Sequence, residues 1–206
     1  MEIKMNTNEL CNNKYQIFCD LDGVLVDLIQ GVENAILCDA SEGVSERYLK
    51  KQRLAKEALG GATLKECYLK KDDIAFKKPV RDFMYKAMNA DRHFWMNLPW
   101  KEDGKKLWDF IKSHEPIILS KPTDLQSVIG KKAWVKRNLG LNKENVQIRM
   151  NKAPYAQFKG KTGLLIDDYH KNITAFSENG GETIHYKNVD DAIGKLKEYG
   201  FTGKTA

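Results

Sequence analysis

The chain has 206 residues, of which 42% are apolar and 30% are charged, and its formal net charge is +6 at pH 7. These values are ordinary for a globular protein with one domain, or with one core domain and a modest insertion. No apolar run approaches the roughly 18 residues of a membrane span, and no apolar signal-peptide core is present, so we expect a cytoplasmic protein without a membrane partner. The four cysteines form no Cys-x-x-Cys pair, which argues against a zinc site or a disulfide framework. The positive charge weakly favours a phosphorylated or polyanionic partner.

The first predicted element of the core is a short buried strand. Residues 1–13 are polar and rich in asparagine, and we expect them to form a loose leader. Tyr15–Cys19 is an apolar run that ends in acidic residues and Gly23, as a buried strand does. Four later runs have the same character, namely 116–119, 146–150, 163–166 and 183–186.

Helical periodicity fills the intervals between these later runs. Apolar residues recur every three or four positions around residues 102–113, 128–135, 173–176 and 192–196. Gly140 and Gly200 are stop signals for the second and the fourth of these segments. Strands that alternate with helices predict an α/β fold, in which a parallel sheet carries helices on both faces.

Residues 30–92 interrupt this alternation. The stretch is rich in helical patterns and in lysine pairs, and it contains no convincing buried strand. A solvated charged surface would explain it, but its position directly after an acidic loop favours a helical cap over the active site. We therefore predict a core domain formed by residues 14–29 and 93–206, a cap domain over 30–92 and a leader over 1–13.

Polar side chains follow the carboxyl ends of four predicted strands, where an open parallel sheet binds its ligands. They are Asp20 and Asp22, Ser120, Lys152, and Asp167 with Asp168. One carboxylate can attack phosphorus to form an aspartyl-phosphate, and a second one two residues on can protonate the leaving oxygen. Ser120 and Lys152 would neutralise the other phosphoryl oxygens, and Mg²⁺ suits the carboxylate and phosphate ligands. The set therefore predicts phosphoryl transfer with Mg²⁺ as the cofactor.

Each of these residues also has an ordinary structural explanation when it is taken alone. Asp-x-Asp-Gly is a common turn, although a calcium loop is excluded because Val24 and Val26 stand where oxygen ligands are needed. Asp167 and Asp168 could cap a helix, and Lys152 could be a surface lysine. Their combined occurrence, in this order and after apolar strands, favours the functional interpretation.

At these positions the chain resembles the haloacid dehalogenase (HAD) superfamily. Residues 20–27, with the sequence DLDGVLVD, resemble its first motif. Ser120, Lys152 and the Asp167-Asp168 pair match its second, third and fourth motifs. The resemblance implies a Rossmann-like, three-layer core with a parallel sheet and a small helical cap inserted after the first motif.

The same resemblance implies roles for the site residues. Asp20 would be the nucleophile and Asp22 the general acid and base. Mg²⁺ would be held by Asp20, by the backbone carbonyl of Asp22 and by Asp168, with Asp167 in a supporting position. The resemblance therefore implies the same two roles, a nucleophile and a proton donor, as the residues at the strand ends do.

Within the superfamily the chain is most similar to the 5'(3')-deoxyribonucleotidases, which hydrolyse nucleoside monophosphates to nucleoside and phosphate. The similar stretches are 94–100, 130–135 and 165–168. Three positions depart from that group. Leu28 stands where an aromatic residue often contacts the base, and Lys121 lies in the sequence Ser-Lys-Pro after the second strand, where the group has Thr-Ser-Pro. A tryptophan that the group has in its cap is replaced around Asn89. These three residues are our candidates for substrate binding.

Other conspicuous residues favour a structural role. The histidines have no metal-ligand spacing, and we expect them to be structural or exposed. Trp95, Trp100 and Trp108 flank an amphipathic helix and are typical of a core. Lys131 and Lys132 could help to hold phosphate, but a basic helix start is the more common meaning of such a pair.

Three functions compete on this sequence. The first is a nucleotidase whose partner is a small phosphorylated substrate. The second is a 3'-phosphatase acting on nucleic acid ends, because the basic insertion could follow a phosphate backbone. The third is a HAD-like protein that binds a phosphorylated ligand without catalysis, which the complete set of motif residues disfavours. The oligomeric state is left open.

Overall fold

The computed structural model describes residues 7–37, 57, 64–69, 84–89 and 91–203. The strands in these ranges are β1 (Tyr15–Cys19), β2 (Ile117–Ser120), β3 (Val146–Ile148), β4 (Gln157–Phe158), β5 (Lys161–Asp167) and β6 (Glu182–His185). The α-helices are α1 (Thr7–Lys14), α2 (Leu28–Leu37), α3 (Leu64–Leu69), α4 (Gly104–Ile111), α5 (Leu125–Leu139), α6 (His170–Glu178) and α7 (Val189–Glu198). Residues 84–89 are also helical, and short 3-10 helices lie at Phe94–Met96, Lys112–His114, Lys143–Asn145 and Ala153–Ala156.

The strands form one sheet in which β1 is central. β1 pairs in parallel with β2 on one side and with β5 on the other. β2 then pairs in parallel with β3, and β5 with β6. This confirms the predicted α/β, Rossmann-like fold, and the five predicted strands all occur with small shifts in their ends.

A sixth strand was not predicted. β4 has only two residues and pairs antiparallel with the start of β5. Lys159 and Gly160, which have φ angles of 50° and 78°, form the turn between the two strands. Two residues are too few to show an alternation of polar and apolar side chains, so the sequence carries no strand signal there.

Successive side chains of the central strands enter two separate apolar clusters, as the pleat of a strand requires. On β1, Ile17 and Cys19 belong to the larger cluster and Phe18 to the smaller one. The larger cluster also contains Leu107 of α4 and Leu196 of α7, whereas the smaller contains Phe176 of α6. Helices therefore cover both faces of the sheet, as the alternation of elements predicted.

The ends of the helices follow their capping residues. Asp124 and Ser127 form a reciprocal capping box at the start of α5, and Gly140 ends that helix with a φ of 66°. Asn188 accepts a hydrogen bond from the Asp191 N–H at the start of α7, and Gly200 follows that helix with a φ of 93°. Both glycines stand at the predicted stop positions.

The prediction of a loose leader was wrong for residues 7–13. They form most of α1, and the Cys11 thiol donates to the Tyr199 carbonyl oxygen at 3.1 Å. The Lys161 ammonium donates to the Asn12 carbonyl oxygen at 2.6 Å. These contacts with residues distant in sequence stabilise a segment whose polar composition gives little helical signal.

Most of the predicted cap, including all its lysine pairs, lies outside the described residues. The parts of residues 30–92 that the structure describes are largely helical, as expected. Leu64, Met84 and Met88 are buried in the larger apolar cluster. The division into a core and a cap domain stays a prediction. None of the described helices combines the length and the apolar character that crossing a membrane requires.

Candidate active site

The loop after β1 brings two carboxylates to the edge of the sheet. The Asp20 N–H still donates to the Ile166 carbonyl oxygen at 2.9 Å, as part of the ladder with β5. The Leu21 carbonyl oxygen then accepts from Leu25 and Val26, which closes a tight turn. Gly23 has a φ of 79°, which an L-residue rarely adopts. The apolar residues of this loop are buried, so its turn is anchored in the core beneath Asp20 and Asp22.

Lys152 connects the end of β1 with the end of β5. Its ammonium lies 3.0 Å from Oδ1 of Asp20 and 2.5 Å from Oδ2 of Asp167. The amide of Asn172 donates to the same oxygen of Asp167 at 2.9 Å, and the Tyr169 N–H donates to Oδ1 at 2.8 Å. All four side chains, namely those of Asp20, Lys152, Asp167 and Asn172, are buried and form what we call the Lys152 cluster.

Lys131 makes a second cluster around the other carboxylate of the loop. Its ammonium donates to Asp22 Oδ2 at 2.5 Å, to Ser120 Oγ at 3.2 Å and to the Lys121 carbonyl oxygen at 2.5 Å. It also lies 4.7 Å from the centre of the Trp95 ring. The Lys131 side chain has no exposed surface, whereas 19% of the Asp22 side chain is exposed. Asp22, Ser120, Lys131 and Trp95 are the Lys131 cluster.

The pKa values of the two loop carboxylates shift in opposite directions. Burial raises the pKa of Asp20, but the charges of Lys152 and Lys131 and a hydrogen bond from the Leu21 N–H outweigh burial, and the pKa is lowered. Burial also raises the pKa of Asp22, and there Lys131 opposes the effect while the charge of Asp20 adds to it, so the pKa is raised. The ionised form is therefore favoured more strongly in Asp20 than in Asp22.

Burial and the charge of Asp20 raise the pKa of Asp167, against the opposing effect of Lys152. Burial lowers the pKa of Lys152, but Asp20 and Asp167 outweigh burial and the pKa is raised. The ammonium of Lys152 is therefore charged at neutral pH, as a group that balances two carboxylates must be.

Three carboxylates lie close enough together to share a cation. One oxygen each of Asp20, Asp167 and Asp168 lies within 4.8 Å of the others. Ligand oxygens around Mg²⁺ are roughly 3–4 Å apart, because each lies about 2.1 Å from the ion. Oxygens at this separation fit Mg²⁺ after a small inward movement. Both oxygens of Asp167 already accept hydrogen bonds, which is compatible with a supporting position for this residue.

The structure thus brings together the predicted residues Asp20, Asp22, Ser120, Lys152, Asp167 and Asp168 at one edge of the sheet. Lys121 lies beside them, with its ammonium 6.0 Å from the Tyr169 ring centre. Burial and the charge of Lys152 lower the pKa of Lys121. Leu28 packs against the larger apolar cluster, and Asn89 is exposed in the helical segment 84–89. Neither residue belongs to the two charged clusters, and their role in substrate binding stays a prediction.

Two residues of the site were missed by the sequence analysis. Lys131 does not mark a helix start, because α5 begins six residues earlier, at Leu125. The buried residues of α5 are Ser127, Gly130, Lys131, Trp134 and Val135, which is the spacing of one helix face. A lysine on that apolar face was a signal that could have identified it. Asn172 lies on α6 and gave no signal beyond its polarity.

No protein-family model matches the sequence, and no curated protein does. Solved structures do match. A hydrolase from Streptococcus pneumoniae TIGR4 has a TM-score of 0.52 and 14% identity, over 90% of this chain and 99% of that one. The fold of this chain is therefore similar to that of the pneumococcal hydrolase.

Two further solved structures match with lower TM-scores. A HAD family hydrolase from Deinococcus radiodurans R1, with bound phosphate and sodium, has a TM-score of 0.49 and 15% identity, over 94% of this chain and 100% of that one. The L-2-haloacid dehalogenase from Xanthobacter autotrophicus has a TM-score of 0.47 and 14% identity, over 89% and 82%. Such identities concern the fold alone, so the reaction has to be inferred from the site.

Proposed function

We propose that the protein is a Mg²⁺-dependent phosphomonoesterase that forms an aspartyl-phosphate on Asp20. The observation that carries the proposal is the division of two neighbouring carboxylates between two buried lysines. Lys152 binds Asp20 and Lys131 binds Asp22. The lysines help to keep Asp20 as an anionic nucleophile, whereas burial and the charge of Asp20 raise the pKa of Asp22, which enables Asp22 to carry a proton.

In the first step an oxygen of Asp20 attacks the phosphorus. A bond forms between that oxygen and phosphorus, and the bond from phosphorus to the ester oxygen breaks. The ester oxygen receives the electron pair and takes the proton of the Asp22 carboxyl, so the product leaves as a neutral alcohol. Among the described residues, both contacts of the Asp20 carboxylate fall on Oδ1, which leaves Oδ2 for the attack.

In the second step water attacks the phosphorus of the aspartyl-phosphate. The Asp22 carboxylate accepts a proton from the water, the bond between phosphorus and Asp20 breaks, and inorganic phosphate and the Asp20 carboxylate are formed. The ammonium of Lys152 has three N–H groups, of which two bind Asp20 and Asp167. The third can donate to a phosphoryl oxygen in both steps.

Mg²⁺ bound by Asp20 and Asp168 would neutralise charge on the phosphoryl group. Lys152 and Asn172 fix the carboxylate of Asp167, and Asp167 in turn fixes the ammonium beside Asp20. The protein thus orients the nucleophile through buried hydrogen bonds.

The same nucleophile would serve a dehalogenase, so the other residues must separate the two reactions. A halide leaves as a stable anion and needs no proton, and attack on carbon needs no divalent cation. The acid Asp22 and the three carboxylates at the sheet edge would have no task in that reaction. They therefore favour a phosphate ester as the substrate.

The resemblance to the deoxyribonucleotidases supports a nucleoside monophosphate as that ester. Lys121, which follows Ser120 at the end of β2 and is partly exposed, is our candidate for a contact with a substrate anion. The lysine pairs that motivate the 3'-phosphatase alternative lie outside the described residues. The nucleotidase is accordingly the function that we propose.

Release of inorganic phosphate from a substrate panel tests this proposal. The panel combines deoxynucleoside and ribonucleoside monophosphates, 3'-phosphorylated oligonucleotides, sugar phosphates and, with halide detection, a 2-haloacid. We expect turnover of mononucleotides with Mg²⁺, loss of turnover with EDTA, and no turnover by Asp20→Asn. Asp190→Asn, at an exposed aspartate of α7, is the matched control and should keep its activity. Turnover of the haloacid alone would contradict the proposal, and a preference for oligonucleotides at low salt would favour the 3'-phosphatase.

A further inference from the structure

We infer that Lys131 is a positioning residue, which fixes the carboxyl of Asp22 and the hydroxyl of Ser120 so that both act on one phosphoryl group. The inference deepens the proposed function and rests on it. Lys131 would act on the leaving group through Asp22, whereas Lys152 contacts the nucleophile Asp20.

The first reason is that Lys131 has no donor left for a substrate. An ammonium has three N–H groups. In Lys131 they point to Asp22 Oδ2, to Ser120 Oγ and to the Lys121 carbonyl oxygen. A lysine that bound phosphate directly would have to break one of these bonds, so its chemical task is to hold the groups that it already contacts.

The second reason is the manner in which the ammonium itself is fixed. Gly130 precedes Lys131 in α5, and a Cβ atom there would lie 2.4 Å from the Trp95 Cβ and 3.0 Å from the Met96 nitrogen. The glycine therefore allows the helix to approach the 3-10 helix Phe94–Met96, which carries the Trp95 ring 4.7 Å from the Lys131 ammonium. The ring is a further favourable surface for a desolvated cation. Lys131 is thus placed by close backbone packing as well as by hydrogen bonds.

The third reason is the effect on the two groups that Lys131 contacts. Because Ser120 Oγ accepts from Lys131, the hydrogen of that hydroxyl must be donated in another direction. A phosphoryl oxygen bound beside Ser120 is the acceptor that the reaction supplies. In Asp22, Lys131 holds Oδ2, while Oδ1 is buried and accepts no hydrogen bond from the described residues. Lys131 is therefore the contact that orients this carboxyl.

A positioning role for Lys131 predicts a dependence on the leaving group. An alkyl phosphate, such as a nucleoside monophosphate, needs a proton on its leaving oxygen, whereas 4-nitrophenyl phosphate releases a stable phenolate without one. Loss of an oriented acid should therefore slow the alkyl ester more than the aryl ester. Loss of phosphate binding or of the fold should slow both esters equally.

The experiment compares kcat and KM for the two esters in wild-type protein, Lys131→Met, Lys131→Gln and Lys132→Met. Met removes the donors with little change in shape, and Gln retains two N–H donors without the charge. Lys132 is the adjacent lysine and is exposed, so Lys132→Met is the matched control. We expect Lys131→Met to lower kcat for the alkyl ester about 100-fold and for the aryl ester less than about tenfold. Lys131→Gln should recover part of the loss, and Lys132→Met should resemble the wild type.

Asp22→Asn completes the test. In that background Lys131→Met should cause no additional loss that is specific to the alkyl ester, because the acid is already absent. Equal losses for both esters in Lys131→Met, or a specific loss that persists in Asp22→Asn, would overturn the inference while the proposed function stands. A wild-type protein that hydrolyses neither ester would overturn the proposed function and the inference with it.

Discussion

The Lys152 cluster and the Lys131 cluster both pair a loop carboxylate with a lysine, but the two lysines differ in their other contacts. Each contains a buried lysine bound to one carboxylate of the loop after β1. Lys152 contacts two carboxylates, which occupy two of its three N–H groups, whereas Lys131 contacts one carboxylate and two neutral oxygens, which occupy all three. The charges of both ammonium groups help to lower the pKa of Asp20, whereas the pKa of Asp22 is raised. Two similar ion pairs are therefore compatible with opposite pKa shifts of carboxylates two residues apart.

The largest expected effect is that of Lys152→Met. We expect kcat to fall about 100-fold or more for aryl and alkyl phosphates alike, because Lys152 contacts the nucleophile and not the leaving group. The free energy of unfolding should also fall, by about 3–5 kcal/mol, because Asp167 would remain buried without its cation. Steady-state kinetics and urea denaturation measure both quantities, with the exposed Lys171→Met as a control. A loss confined to alkyl esters would remove the distinction between the clusters.

A second difference concerns the metal. We expect Asp168→Asn to raise the Mg²⁺ concentration for half-maximal activity by about tenfold or more, because an amide is a weaker ligand than a carboxylate. Asp22→Asn should lower kcat without changing this concentration, since its side chain belongs to the Lys131 cluster. Activity of EDTA-treated protein titrated with Mg²⁺ measures both. A shifted Mg²⁺ requirement in Asp22→Asn would show that the clusters are not separate.

Gly130→Ala tests whether packing places the Lys131 ammonium. The added methyl group would meet the backbone of Met96 and the Trp95 side chain, so α5 must shift. We expect the unfolding free energy to fall by about 1–3 kcal/mol and turnover of alkyl esters to fall more than that of aryl esters. Gly194→Ala is the matched control, since a Cβ in that helix meets nothing within 4 Å. An equal fall in turnover for both esters in Gly130→Ala would show that the packing at Gly130 does not place the Lys131 ammonium for the reaction.

The smallest effect is expected for Asn172→Ala, which removes one hydrogen bond from Asp167 in the Lys152 cluster. The unfolding free energy should fall by about 1–2 kcal/mol, because a buried acceptor loses a donor. Turnover should fall by only about threefold, and equally for both esters, since Lys152 and Tyr169 still bind Asp167. Asn179→Ala, on the surface after α6, provides the control. A larger loss of turnover with alkyl esters would contradict the assignment of Asn172 to the Lys152 cluster.

The two clusters also differ in how far the sequence predicts them. Asp20 and Lys152 follow strands and Asp167 is the last residue of one. The topology of a parallel sheet brings the ends of its strands together, so these positions can be predicted without detailed knowledge of packing. Lys131 enters the site from the middle of a helix. Its position depends on the close approach of α5 to Trp95, a long-range contact that periodicity alone does not reveal.

The fold shows the same limit. The parallel strands and the helices α4 to α7 were predicted because each carries its own apolar pattern. β4 and α1 were not, since β4 is too short to have a pattern and α1 is held by contacts with residues distant in sequence. Local signals therefore identify elements that bury their own apolar face, and miss those that depend on partners elsewhere in the chain.

The contacts of α1 have a practical consequence for work with this protein. Asn12 bonds to the His114 ring, and that ring bonds in turn to the Thr202 carbonyl oxygen, so the first helix and the last described residues close over the same side chain. The starts of β1 and β5 lie at this end of the sheet, opposite the edge that carries Asp20 and Asp167. Trimming residues 1–13 to aid crystallisation would expose that junction. The amide hydrogens of α1 and of residues 199–203 should accordingly exchange with solvent together, as one cooperative unit.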